Sequence, residues 1–219
     1  MLRRYRKYDR GEFVILYGDT AWGGLDYSCF VALSKNRIDV PLVYHAKVLA
    51  SEMTPIMHQE AERIFDETGV QPVVCMERNN GGIAELERLA TLNRLGKYRI
   101  YQMKTNVGTT DGTTTSVKLG FDINSATRPT MLSQLKEAID NRLIVIPDKP
   151  LINEMFSFVV VQTSSSWKAQ AEQGAHDDLI MSLAGAWQLY QTEEKIDLDD
   201  EDQDYTSGNI TSMFTRRTW

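Results

Sequence analysis

Four acidic residues end or open elements of this chain in a way that suits metal chemistry. Asp19 closes the apolar run Glu12-Phe13-Val14-Ile15-Leu16-Tyr17-Gly18-Asp19. Glu77 closes Pro72-Val73-Val74-Cys75-Met76-Glu77, ahead of Arg78-Asn79-Asn80-Gly81-Gly82. Asp177 and Asp178 open the stretch Leu179-Ile180-Met181-Ser182-Leu183-Ala184. Carboxylates are the preferred ligands of hard divalent cations, which take few protein groups per ion. Two Mg²⁺- or Mn²⁺-like ions about 4 Å apart can activate a water and stabilise the leaving oxygen of a phosphodiester. Acids from a central strand, its neighbour and a covering helix would suffice for that reaction.

Each acid also has a plainer reading. Asp is common where a strand gives way to a turn, which fits Asp19. Acids in a first helical turn complement the dipole, which fits Asp177 and Asp178. Glu77 is harder to explain away, because Glu is disfavoured in strands and is a poor turn former. Its place after Val-Val-Cys-Met suggests the C-terminal edge of a parallel strand, where open α/β sheets bind ligands. His176 adjoins the aspartates and stands as a direct or outer-sphere ligand. Zinc ligation is not expected: His45, His58, His176, Cys29 and Cys75 lack ligand spacing. Neither a Gly-x-Ser-x-Gly elbow nor a Gly-x-x-x-x-Gly-Lys-Ser/Thr loop occurs, so ATP hydrolysis by this chain alone is not expected.

The elements that must position these acids read as an α/β fold. Residues 12–18, 27–33 and 40–48 are strands at hairpin spacing, so they should run antiparallel. Thr54-Pro55 and Gly69 bound a helix over 55–67. A strand over 72–77, a helix over 81–95 and a strand over 98–103 complete a β-α-β-α-β run with right-handed crossovers. The whole is a mixed sheet with helices on its faces. The Thr/Gly-rich residues 105–116 read as a hairpin turning at Asp111-Gly112. A helix from Thr127 to about Asn141, a short strand over 143–146, a helical or mixed stretch over 149–162, a polar loop over 164–174 and a last helix over 176–191 follow.

The chain has 219 residues, enough for one sizeable domain, and its 25% charged and 42% hydrophobic content is ordinary for a soluble protein. Its two cysteines lie in apolar runs and read as free thiols of a reducing compartment. No apolar stretch has membrane-spanning length, and the basic start Met1 to Lys7 lacks the apolar segment of a signal peptide. The net charge of −6 is concentrated in residues 193–204, where Glu193, Glu194, Asp197, Asp199, Asp200, Glu201, Asp202 and Asp204 face only Lys195. The rest is near neutral, so charge neither supports nor excludes a nucleic-acid partner. The expected organisation is a basic linker (1–11), one domain (12–192) and an acidic, disordered tail (193–219).

Four stretches resemble the C-terminal nuclease domain of the large terminase subunit of tailed bacteriophages. Tyr17-Gly18-Asp19-Thr20-Ala21 with Gly24-x-Asp26-Tyr27-Ser28 is similar to its first acidic motif. Glu77-Arg78-Asn79-Asn80-Gly81-Gly82 is similar to its second and is the most specific. Leu119-Gly120-Phe121 with Thr127-Arg128-Pro129 resembles the segment after its hairpin, and His176-Asp177-Asp178-Leu179 its final motif. The resemblance spans about Phe13 to Tyr190. It implies an RNase H-like fold and a metal-dependent endonuclease that cuts concatemeric double-stranded viral DNA in the host cytoplasm, using two divalent ions (Mg²⁺ or Mn²⁺). It implies Asp19, Glu77 and one of Asp177 and Asp178 as ligands, with Asp26 auxiliary. Helical periodicity sets Asp177 nearer the apolar stripe and leaves Asp178 the preferred ligand.

Family members carry an ATPase motor ahead of the nuclease, so an isolated nuclease domain or a separate motor is expected here. The small subunit and portal are the further partners implied, and no membrane is. A resolvase or integrase of the same fold, and a non-catalytic packaging module, are the competing readings. Arg78 fits either a scissile-strand phosphate or a structural ion pair. Lys104, Lys118 and Arg128 flank the hairpin, which fits either a DNA gate or an ordinary surface loop. Trp22 is expected to pack rather than stack on a base.

Overall fold

In the computed structural model, which describes residues 1–21, 26–109, 112–162, 167–171 and 176–195, the chain opens with β1 (Leu2–Arg4), β2 (Val14–Asp19), β3 (Ser28–Ser34) and β4 (Asp39–Ala46). It continues through α1 (Ala50–Thr68), β5 (Val73–Met76), α2 (Gly82–Leu92), β6 (Arg99–Ile100), β7 (Gln102–Thr109) and β8 (Gly112–Leu119). It ends with α3 (Thr127–Asp140), α4 (Lys149–Phe156), β9 (Phe158–Gln162), β10 (Trp167–Ala171) and α5 (Asp178–Thr192). A six-stranded sheet has the order β1-β4-β3-β2-β5-β6, and the hairpins β7–β8 and β9–β10 stand apart from it. Strands β1, β4, β3 and β2 pair antiparallel, whereas β2–β5 and β5–β6 are parallel. This is the mixed sheet expected from the spacing.

The central strands are apolar at nearly every position because both faces of the sheet are covered. Side chains alternate between the faces with period two. Ile15, Tyr17, Cys29, Val31, Val73 and Cys75 enter one core, with Leu179, Leu183 and Ala186 of α5 and Met131 and Leu135 of α3. Leu16, Phe30, Ala32, Val74 and Met76 enter the other, with Met53, Met57 and Ile64 of α1 and Leu86 and Leu89 of α2. Helix α5 comes unusually close to the sheet. A Cβ on Gly185 would stand 2.2 Å from the Tyr17 ring, so only glycine fits there.

Helix α1 begins a turn earlier than Thr54-Pro55 suggests. Glu52 accepts the Leu49 N–H at 3.0 Å, and Thr54 Oγ1 donates to the Ala50 carbonyl at 2.9 Å from inside the helix. Pro55 has no N–H to offer the carbonyl of Ser51. That carbonyl accepts from Arg88 Nη1 of α2 at 2.7 Å instead. Gly69, with φ of 74°, ends α1 as expected.

Other expectations need correcting. The N-terminus, read as a linker, is a sheet edge: Leu2, Arg3 and Arg4 pair with Tyr44, Val43 and Leu42. Three of its arginines are paired with carboxylates, Arg3 with Asp148, Arg4 with Glu60, and Arg6 with Glu12 and Asp39. Residues 143–146 form no strand, only a bridge between Val145 and Asp39. The stretch read as a polar loop over 164–174 contains β10, paired antiparallel with β9 through the backbone. The strand expected over 98–103 is split, with β6 in the sheet and β7 starting the hairpin. The hairpin is present, but Thr110 and Asp111 at its turn lie outside the described residues, as do Trp22 and residues 196–219.

Asp148 joins the N-terminus to α4. It is fully buried, accepts from Arg3 Nε at 2.6 Å and Tyr5 Oη at 2.6 Å, and caps α4 at the Leu151 N–H at 2.8 Å. Removing one partner of a buried, hydrogen-bonded charge pair costs about 3 kcal/mol. Asp148→Ala is therefore expected to lower unfolding stability by about that amount, measured by urea denaturation.

Candidate active site

Strands β2 and β5 lie parallel with Gly18 opposite Met76, and the Glu77 N–H donates to the Gly18 carbonyl at 3.0 Å. Asp19 and Glu77 are therefore successive steps beyond the same register, at the C-terminal ends of neighbouring strands. Two-residue alternation places both on the face of Tyr17 and Cys75, beneath α5. From β2 the chain turns to β3 on one side, and β5 lies on the other, which makes this a topological switch point.

The turn after Glu77 is tight. Asn80 has φ of 51° and Gly81 φ of 85°, and a Cβ on Gly82 would stand 1.8 Å from the Glu77 carbonyl oxygen. The Asn-Asn-Gly-Gly run thus follows from backbone geometry. It also serves the acid: Asn79 Nδ2 donates to Glu77 Oε1 at 2.6 Å and to the Ile123 carbonyl at 3.1 Å. Thr20 Oγ1 donates to the Asn80 carbonyl at 3.1 Å, tying the end of β2 to this turn.

A cleft of about 270 Å³ opens there, lined by Asp19, Thr20, Asp26, Glu77, Asn80, Arg128, Asp177, Asp178 and Met181. The three separated acidic stretches and Asp26 meet in it. Arg128 is the cation of its wall, and its Nη2 donates to Asp177 Oδ2 at 2.5 Å. Among the described residues Asp178 Oδ2 is buried without a hydrogen-bond partner. His176 Nδ1 stands 3.7 Å from that oxygen, and its ring meets Tyr27 edge-on at 5.0 Å. Among the described residues no three His, Cys, Asp or Glu side chains already converge on one point; the acids ring the cleft.

Burial and crowding push these acids upward. Burial raises Asp19 well above the usual carboxylate range, and the charges of Glu77, Asp178 and Asp177 add to it against Arg128. Burial also raises Glu77, resisted by the Asn79 bond and Arg128. Asp178 is raised to about 6, chiefly by burial and then by Asp177. An all-oxygen donor set, an unpartnered buried carboxylate oxygen and mutually repelling acids are what a hard divalent cation relieves, so the residues fit such an ion.

The remaining candidates divide. Arg78 takes the ion-pair role: its Nε binds Asp122 Oδ1 at 2.6 Å and its Nη1 donates to the Leu119 carbonyl, away from the cleft. Lys118 also reaches Asp122, at 3.5 Å, and Lys104 is exposed on β7. One residue had no signal in the sequence. Glu154 of α4 accepts the backbone N–H groups of Leu179 and Ile180 at 3.0 and 3.3 Å. Burial raises it to about 8, opposed by those bonds and reinforced by Asp178 and Asp177.

No protein-family model matches the sequence, and no curated protein matches it. Solved structures do. The large terminase nuclease domain of Thermus phage P74-26 is 18% identical, with a TM-score of 0.63 over 90% of this chain and 89% of that one. The large terminase nuclease of thermophilic phage G20c with bound magnesium is also 18% identical, with a TM-score of 0.63 over 88% of each chain. The human cytomegalovirus terminase nuclease domain, soaked with manganese and inhibitor-bound, is 13% identical, with a TM-score of 0.55 over 82% of this chain and 83% of that one. The chain has the RNase H-like fold of these domains.

Proposed function

We propose that this chain is a divalent-metal-dependent endodeoxyribonuclease that cuts double-stranded viral DNA during genome packaging, as the nuclease domain of a large terminase subunit. The observation that carries the reading is the in-step placement of Asp19 and Glu77 beside the unpartnered Asp178 Oδ2. Likeness of fold to terminase nucleases, including one solved with magnesium, supports it.

Asp19, Glu77 and Asp178 are the ligands in this reading, with Asp177 at the margin of the set because Arg128 already holds it. Two ions, Mg²⁺ or Mn²⁺, bound there would supply an activated water and stabilise the departing oxygen. The protein's own groups orient. Asn79 fixes one Glu77 oxygen and leaves the other for the cleft. Arg128 balances the acids and can turn its guanidinium to a strand phosphate. Asp26 lies at the exposed rim as an auxiliary acid, beside His176. Lys104 and Lys118 on the hairpin face phosphates, so binding is salt-sensitive and weakly sequence-specific. The partners are double-stranded DNA, a terminase ATPase domain, the small subunit and the portal, in the host cytoplasm. Among the described residues no helix is long and apolar enough to cross a membrane.

Purified chain incubated with supercoiled plasmid and Mn²⁺ is expected to give nicked, then linear, then degraded DNA on agarose gels. EDTA is expected to stop the reaction and excess Mn²⁺ to restore it. Intact plasmid under Mg²⁺ and Mn²⁺ alike would leave a non-catalytic packaging module as the better reading.

A further inference from the structure

Helix α5 is capped from outside its own sequence. Asp177 occupies the cap position, yet its side chain makes no cap hydrogen bond and is paired with Arg128 instead. The N–H groups of Leu179 and Ile180 at the second and third helical positions, which a capping side chain ordinarily satisfies, both donate to Glu154 Oε2. Glu154 is well placed to hold them. It lies on α4, whose Leu151 is fully buried and whose start is fixed by Asp148.

We infer that Glu154 is a positioning residue for the acidic cleft: by capping α5 from α4, it leaves Asp177 and Asp178 free to face the cleft instead of folding back on their own helix. Two first-turn acids on a helix have a competing use, because an Asp at the cap position reaches the N–H groups of the second and third residues. Were Asp177 to take that role, it would leave Arg128 and turn the backbone that carries Asp178. With those donors already bound, the competing use is closed. The inference rests on the cation-binding role proposed for the cleft. It adds a contact among residues that do not line it, comparable to the outer partners that orient ligands in metal sites.

The test compares Glu154→Ala, Glu154→Met and Glu154→Gln with the wild-type chain. Two readouts are taken, the Mn²⁺ concentration that half-saturates thermal stabilisation and the amide exchange of Leu179 and Ile180 without metal. Alanine and methionine offer no acceptor; methionine keeps the packing volume in case the alanine variant fails to fold. Both are expected to speed exchange at those two amides and to raise the half-saturating Mn²⁺ about tenfold. Glutamine, whose amide oxygen accepts the same bonds, is expected to stay near wild type in both. Variants lacking the acceptor that bind Mn²⁺ as the wild type does would overturn the inference while leaving the nuclease reading intact. So would a glutamine variant as impaired as methionine, or a requirement for Glu154 in folding that neither alanine nor methionine meets. A wild-type chain that binds no Mn²⁺ would instead overturn the nuclease reading beneath it.

Discussion

Asp19→Asn and Glu77→Gln each reduce Mn²⁺-dependent plasmid cleavage about a thousandfold, on the scale of about 4 kcal/mol that a ligand's share of metal-borne charge stabilisation supplies. The size of the loss follows from placement. Both side chains leave neighbouring parallel strands at matched register, so the sheet itself sets the position of each. Each amide keeps the shape of the acid and the Asn79 bond to Glu77 has an acceptor in Gln, so the sheet is not disturbed. Single-turnover cleavage under saturating Mn²⁺, with circular dichroism to show that the variants are folded, measures the effect. Cleavage within tenfold of wild type in both variants would remove these two acids from the chemistry.

Asp178→Asn is expected to do two opposite things: to abolish cleavage and to make the metal-free protein more stable. Asp178 titrates near 6 in the folded chain against 3.8 for an unperturbed aspartate, because burial and the Asp177 charge oppose its ionisation. The folded state therefore holds that proton more tightly than the unfolded state. This contribution is intact below pH 3.8 and is lost as pH rises through about 6. Above that range the ionised group costs about 3 kcal/mol, and asparagine removes the cost. Without metal at pH 8 the variant should melt several degrees higher than the wild type, and at about pH 3 the two should agree. Adding Mn²⁺ should raise the wild-type melting temperature and leave the variant nearly unmoved, which reverses their order. Calorimetric scans across pH, with and without Mn²⁺, check this. A variant less stable than wild type at pH 8 without metal would mean that the Tyr27 N–H bond and His176 outweigh burial and the Asp177 charge at Asp178.

The strands carrying Asp19 and Glu77 were legible because strands covered on both faces are continuous in apolar residues, and an acid at the end of such a run is conspicuous. The stop at Gly69 was legible for a related reason, since it follows from local backbone geometry. What escaped depends on partners distant in sequence. Arg3 and Arg6 look like solvated charge until Asp148 and Asp39 are brought beside them. Strand β10 escaped because its pairing with β9 is made by backbone groups, which leave no mark in the residue types. Glu154 lies in the last turn of α4 with no motif around it, and its bond to α5 exists only after two helices meet. Arg78 shows the converse: adjacency to Glu77 suggested a role at the cleft, but its side chain is turned to Asp122.

The matched step of β2 and β5 also sets which changes of length the chain can bear. Facing in a strand is a matter of odd and even, so one residue gained or lost within 14–19 or 73–77 would hand an acid to the α1–α2 side while the hydrophobic run still read as a strand. Between strands the count carries no such parity. The site is therefore protected against substitution by chemistry at its acids, and against insertion by arithmetic along its two central strands.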